Sequence, residues 1–143
     1  MFPLLAALIA QATPTQAVEP SCAGGLISVP PGETCPFLLF FDSSKAEVTR
    51  DSAAALDKLL SDWRSGSFRR VILTGHGDLF GPAGANLRTS RQRAEVVRDW
   101  LNSRGIPLGS ITIQAVGETR PLIATADGVR EPQNRRVEAR LER

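Results

Sequence analysis

Apolar and polar positions along this chain switch between two periods, and the switches mark out six elements. Phe37-Leu38-Leu39-Phe40-Phe41 is a short, wholly apolar run that suits a strand buried on both faces. Asp42-Ser43-Ser44 then breaks it with turn-forming side chains. From Ala46 to Trp63, Leu56, Leu59, Leu60 and Trp63 recur at helical spacing, with Ala53 and Ala54 widening the stripe, and Ser65-Gly66-Ser67 ends it. Arg69 to Thr74 predicts a second strand centred on Val71, Ile72 and Leu73. Residues 75–86 hold four Gly and one Pro and predict a loop. A second helix is expected from about Leu87 to Arg104, its buried line Ala94, Val97 and Leu101 with Trp100 beside it, its outer face Arg91, Glu95, Arg98 and Asp99. Gly105 stops that helix, and Pro107 prevents its resumption. Ile111 to Val116 alternates as a third strand, and residues 117–133 are irregular. Arg135 to Leu141 alternates again, with Val137, Ala139 and Leu141 expected inward and Arg136, Glu138 and Arg140 outward.

The order β-α-β-α-β-β lets both helical stripes be buried only against one face of one sheet. Right-handed crossovers place the two helices on the same side. The expected fold is therefore α+β, a two-layer sandwich with helices on one face of a four-stranded mixed sheet.

The segment before this domain has a different character. Phe2 to Ala10 is a short apolar core, and Thr15-Gln16-Ala17 offers a small-x-small cleavage site, so residues 1–17 form a candidate signal peptide. Because no Lys or Arg precedes the apolar stretch, a misplaced start codon and a short uncleaved anchor are the other readings. Residues 18–35 form a Gly/Pro-rich leader, with the ordered domain expected over 36–143. Cys22 is not a lipid-attachment site, since Glu19-Pro20-Ser21 lacks the apolar and small residues that site needs. In an oxidising compartment Cys22 and Cys35 are expected to form a disulfide, worth about 3 kcal/mol by loop closure. In a reducing one they would be two thiols in a loose leader.

Composition narrows the function classes. The 143 residues carry a net charge of +2, which makes no case for general nucleic-acid binding. No run of 18 apolar residues suggests a transmembrane helix. One His and two Cys are too few for a usual four-ligand zinc site, and no cofactor is implied. Charge is unevenly spread: residues 1–59 carry three cations against six acids, and residues 60–143 carry fourteen Arg against nine acids. Arg matches carboxylates through a planar fork of donors, although high-GC codon usage with solvated Arg gives the same count.

Little in the sequence supports catalysis. Ser90 is the nearest candidate nucleophile to His76 and Asp78, but it lies inside a helix without the strained turn that exposes such a serine. His76 and Asp78 alone give a metal two ligands, and Gly75, Gly77 and Gly81 miss the dinucleotide-binding spacing by one residue. Asp78, Asn86, Arg93 and Arg135 form the stronger constellation. Asp78 is expected at the mouth of the second strand and Arg93 two turns into the next helix. Asn86 is placed to cap that helix, and Arg135 to open the last strand. Such a cleft suits a zwitterion, with Asp78 for an ammonium and Arg93 and Arg135 for a carboxylate. Equally, Asp78 and Arg93 could pair with each other and pin the loop.

These residues carry a family resemblance. Thr74-Gly75-His76-Gly77-Asp78, then Gly81, Asn86, Ser90, Arg93-Ala94, Val97, Leu101, Gly105-Ile106, Val116-Gly117-Glu118, Pro121 and Asn134-Arg135-Arg136-Val137-Glu138 resemble the OmpA C-terminal-like domain, whose family includes the peptidoglycan-associated lipoprotein and MotB. The resemblance spans about Phe37 to Leu141 and implies the same β-α-β-α-β-β sandwich. It also implies non-catalytic, periplasmic binding of peptidoglycan, with Asp78 and Arg93 gripping the zwitterionic end of diaminopimelate and Asn86, Arg135 and Ser44 lining the cleft. Outer-membrane or envelope proteins are the further partners it suggests. The alternative is an envelope interaction module that keeps the fold without wall binding. Two positions depart from the family pattern. Thr89 stands where Leu is usual and should loosen packing under the helix. Glu131 stands where an Arg often precedes the Asn-Arg-Arg motif, with Arg130 a neighbouring substitute.

Overall fold

The computed structural model describes residues 21–143, so the candidate signal peptide over 1–17 lies outside the described residues. Strand β4 (Arg70–His76) and strand β6 (Arg136–Glu142) run antiparallel, with Leu73 opposite Ala139 and Thr74 opposite Glu138. Strand β3 (Phe37–Phe40) pairs antiparallel with the other edge of β6, and β5 (Ile111–Gly117) pairs parallel with β4. The sheet order is β3-β6-β4-β5. Helix α1 (Arg50–Arg64) links β3 to β4, and α2 (Ala83–Asn102) links β4 to β5. One continuous core joins Leu56 and Leu59 of α1 and Ala94, Val97 and Leu101 of α2 to Leu73 and Val137 of the sheet. Each buried leucine in it contributes roughly 1.5–3 kcal/mol. The α+β two-layer sandwich with a mixed four-stranded sheet is the architecture expected from the sequence.

Local chemistry shifts two helix starts. Helix α1 begins at Arg50 rather than Ala46, because the Thr49 hydroxyl accepts the Ser52 N–H at 3.2 Å and fixes the cap there. Helix α2 begins at Ala83, four residues before the expected Leu87. Pro82 precedes it in an extended conformation, and the Asn86 N–H already reaches the Pro82 carbonyl at 3.0 Å. The glycine count over 75–86 pointed to a loop, but extended Pro82 is the cap residue and the helix already runs through Ala83, Gly84 and Ala85.

Glycine at 75 sets how closely α2 lies on the sheet. A Cβ there would run into the backbone carbonyl of Ser90. Ser90 itself is fully buried, donating to the Leu87 carbonyl at 2.8 Å and accepting the Gly117 N–H at 3.1 Å. It clamps α2 to the end of β5 and is not presented as a nucleophile.

The second face of the sheet corrects one expectation. Alternation along β6 is as expected, with Val137, Ala139 and Leu141 toward the helices, yet Arg136 and Glu138 on the opposite face are also buried. The reason is the leader. Strands β1 (Ser21–Cys22) and β2 (Ile27–Ser28) form a hairpin, and Ile27 and Val29 pack against Leu38 and Leu122 over that face. Cys22 and Cys35 are joined in a disulfide, and Thr34 exchanges hydrogen bonds with Leu141. Order thus begins well before Pro36, and the leader is a thin third layer.

Candidate functional site

The site forms where β4, α2, the turn after β3 and the start of β6 converge. Asp78 lies two residues past β4, is 6% exposed, and closes a turn on its own chain by accepting the Phe80 N–H at 3.3 Å. Its other oxygen accepts the Glu131 N–H at 3.1 Å and Arg135 Nη1 at 3.0 Å. Arg135 sits just before β6, and its Nε donates to the Phe41 carbonyl at 3.2 Å. One carboxylate therefore ties the loop after β4 to both the β6 approach and the end of β3.

Arg93 takes a different role. Only 2% exposed, it reaches from α2 to the turn after β3, where Nε donates to the Lys45 carbonyl at 2.9 Å and Nη2 to the Asp42 carbonyl at 3.1 Å. The His76 carbonyl lies 3.5 Å from Nη1. Burial, and next the nearby Arg135, lower its pKa to about 10, while Asp78 opposes the fall. The group stays charged at neutral pH. Among the described residues it has no carboxylate partner, so the ion pair left open by the sequence is Asp78–Arg135 and not Asp78–Arg93.

Asn86 corrects a second expectation. It lies inside the first turn of α2 and does not cap it; Pro82 is the cap residue. Its side-chain nitrogen instead points back into the loop, 3.1 Å from the Asp78 carbonyl, 3.0 Å from the Phe80 carbonyl and 2.9 Å from Glu118 Oε2. Because the helix starts early, the amide is free to organise the loop. Ser44 is exposed in the turn after β3 and adopts φ 58°, a left-handed conformation that is uncommon outside glycine.

All five residues singled out in the sequence, Asp78, Arg93, Asn86, Arg135 and Ser44, line one cavity of about 50 Å³. Its two guanidiniums and one carboxylate leave a net positive charge. A water needs roughly 10–15 Å³ of such space, so the cavity has room for a charged head group but not for a long chain. A wider groove of about 670 Å³, floored by Phe40 and Phe41, adjoins it and shares Arg135.

Several contributors were missed in the sequence. Phe80 lines the cavity and carries the Arg130 guanidinium 3.9 Å above its ring. Glu118 holds Asn86, and the Glu131 backbone holds Asp78. An Asp followed two residues later by Phe80 is a readable side-chain turn. The Glu131 contact spans 53 residues and has no local signal. Thr89, flagged as a departure, is half-buried and lines the cavity; Glu131, the other departure, caps Gln133 with its side chain at 3.0 Å.

Comparison with known proteins bears on the family and the fold. Residues 40–135 match the model of the OmpA family. Outer membrane protein A of Shimwellia blattae is 35% identical over 99 residues, covering 65% of this chain and 40% of that protein. This chain therefore spans well under half the length of that relative. The crystal structure of the peptidoglycan-associated lipoprotein from Burkholderia pseudomallei superposes with a TM-score of 0.67 at 25% identity, covering 73% of this chain and 89% of the other. The cell wall anchor of the T6SS from Pseudomonas aeruginosa gives 0.57 at 28% identity, over 72% and 74%. With the family match covering more than half of its length and the expected fold in place, this chain belongs to the OmpA family.

Proposed function

We propose that this domain binds peptidoglycan without catalysis, in the periplasm, by taking the zwitterionic end of diaminopimelate in the stem peptide. Convergence of Asp78, Arg93 and Arg135 on one small cavity carries the reading. Arg93 is held by backbone carbonyls and lies 5.5 Å from the centre of the Phe41 ring, with no carboxylate partner among the described residues, so its charge is available to an incoming carboxylate. Asp78 Oδ1 accepts only the Phe80 N–H among the described residues and keeps acceptor capacity for an ammonium. Charge-assisted bonds of this kind contribute about 1.5–3 kcal/mol each. The cavity takes the head group, and the adjoining groove receives the rest of the peptide. Firm attachment to a polymer then needs many copies in one envelope. The names of the lipoprotein and wall-anchor relatives, and the Cys22–Cys35 disulfide, support an envelope location. Residues 1–17 supply the export signal in this reading.

One observation favours the second reading, an envelope interaction module without wall binding: Asp78 already has an ionic partner in Arg135. Titration with a diaminopimelate-containing stem peptide and its Lys analogue separates the two. Binding of the first alone, weakened at least about tenfold in Arg93→Lys with the melting curve kept, is the expected result. Equal binding of both peptides, or no effect of the substitution, would overturn wall recognition.

A further inference from the structure

A second cavity, of about 330 Å³, lies on the opposite face of the sheet from the helices. Arg136, Glu138 and Arg140 of β6, His76 of β4 and Arg120 form its polar side, and Leu26 and Ile27 of the disulfide-closed hairpin form its roof. Three guanidiniums face one carboxylate there. Glu138 is fully engaged, with Oε1 accepting from Arg136 Nη2 at 2.7 Å and Oε2 from Arg140 Nη2 at 2.8 Å. Glu33 takes a further Arg140 contact at 3.4 Å. One positive charge is left over, Arg120, Arg136 and Arg140 against Glu33 and Glu138, in a cleft open to solvent.

Three polar atoms of residues that line this cavity are buried and have no hydrogen-bond partner among the described residues: Arg136 Nη1, Arg140 Nε and His76 Nε2, the last 3.5 Å from Glu138 Oε1. The Arg136 side chain is 3% exposed and that of His76 also 3%. An unmet buried polar group costs about 1–3 kcal/mol, and three in one cavity define what a guest must bring. Two are N–H donors and need acceptors. The third is fixed as an acceptor, because His76 Nδ1 lies 3.2 Å from the Arg120 carbonyl, which can only accept. Burial, and then Arg136, lower the His76 pKa to about 4, so the ring is neutral and Nε2 keeps its lone pair.

We propose that this cavity binds a phosphate group bearing a proton, with its anionic oxygens on Arg136 Nη1 and Arg140 Nε and its P–O–H donating to His76 Nε2. Guanidinium is the usual partner of such oxygens. Sulfate and ionised carboxylates supply the acceptors but leave Nε2 unmet. The apolar roof leaves room for the carbon part of a phosphate monoester. This site is separate from the Asp78–Arg93 cavity, so the two readings fail independently.

Arginine Nε–H resonances of the full chain, followed by NMR at pH 6, test it. At that pH inorganic phosphate carries a protonated oxygen, as does about half of the glycerol 3-phosphate. Saturable shifts at Arg136 and Arg140 that spare Arg93 are expected, with sulfate at equal ionic strength binding at least about tenfold more weakly. Tighter glycerol 3-phosphate would identify an ester as the guest, and equal affinities the free phosphate group. Arg140→Gln, at a partly exposed position, should weaken phosphate about tenfold with the other arginine signals unmoved. No saturation, phosphate no tighter than sulfate, shifts centred on Arg93, or an unchanged response in Arg140→Gln would each overturn the proposal.

Discussion

Mild acid should destabilise this domain through one side chain. The chain has a single histidine, His76, so between pH 6.5 and 4 one imidazole dominates the difference in proton uptake between folded and unfolded states. Its ring lies under the leader hairpin at 2% exposure, 3.5 Å from Glu138 Oε1. Protonation would gain that carboxylate, but burial and the Arg136 charge outweigh the gain, and the pKa falls from 6.5 to about 4. In that window the unfolded chain binds a proton that the native state refuses. Stability must therefore fall as pH drops from 6.5, by about 1.4 kcal/mol per unit, roughly 3 kcal/mol in all, and this contribution levels off below pH 4. Glu138, whose pKa is held down against the effect of burial by Arg136 and Arg140 and, once it is protonated, by His76, adds a further loss only below its unfolded value of 4.5. Urea unfolding at pH 7.5, 6.5, 5.5 and 4.5 reads the slope directly. His76→Asn, which keeps a donor for the Arg120 carbonyl, should flatten the curve between 6.5 and 5 whatever its stability at pH 7.5. A wild type with no slope there, or a variant retaining it, would refute the assignment.

Two further outcomes follow from the packing. Gly75→Ala should lower stability by at least about 1–3 kcal/mol, since the added methyl meets a backbone carbonyl that only a shift of α2 relieves; thermal melting would show it, and an unchanged Tm would refute the close approach. Removing the disulfide in Cys22→Ser/Cys35→Ser, separated by 13 residues, should cost about 3 kcal/mol. Hydrogen exchange should then quicken first at Thr34 and Leu141, whose amides the leader exchanges with β6, and uniform exchange in both forms would argue against a structural leader.

Local periodicity missed that Phe40 is exposed on β3, where a strand buried on both faces was expected, and that Ser52 and Ala55 rather than the exposed Ala54 complete the α1 stripe. It was enough for the order of elements, the inward faces of β5 and β6, the leucines of α1 and the Ala94, Val97 and Leu101 line of α2. These are short-range properties, since side chains three or four positions apart on a helix, or two apart on a strand, share a surface wherever the chain goes. The five cavity residues were legible for another reason: the OmpA-like motifs tie distant positions to one cleft, and spacing alone left the Asp78–Arg93 pairing open. Tertiary structure decided the charges. Asp78 pairs with Arg135 across 57 residues, while Arg93 spends its donors on carbonyls 48 and 51 residues away. Alternation placed Arg136, Glu138 and Arg140 on the second face, and whether that face meets water depends on where the leader folds back. No sequence period records that choice, because the disulfide only closes the leader on itself, and what holds it to the sheet is a small apolar patch and the long-range contacts of Thr34 and Glu33 with β6.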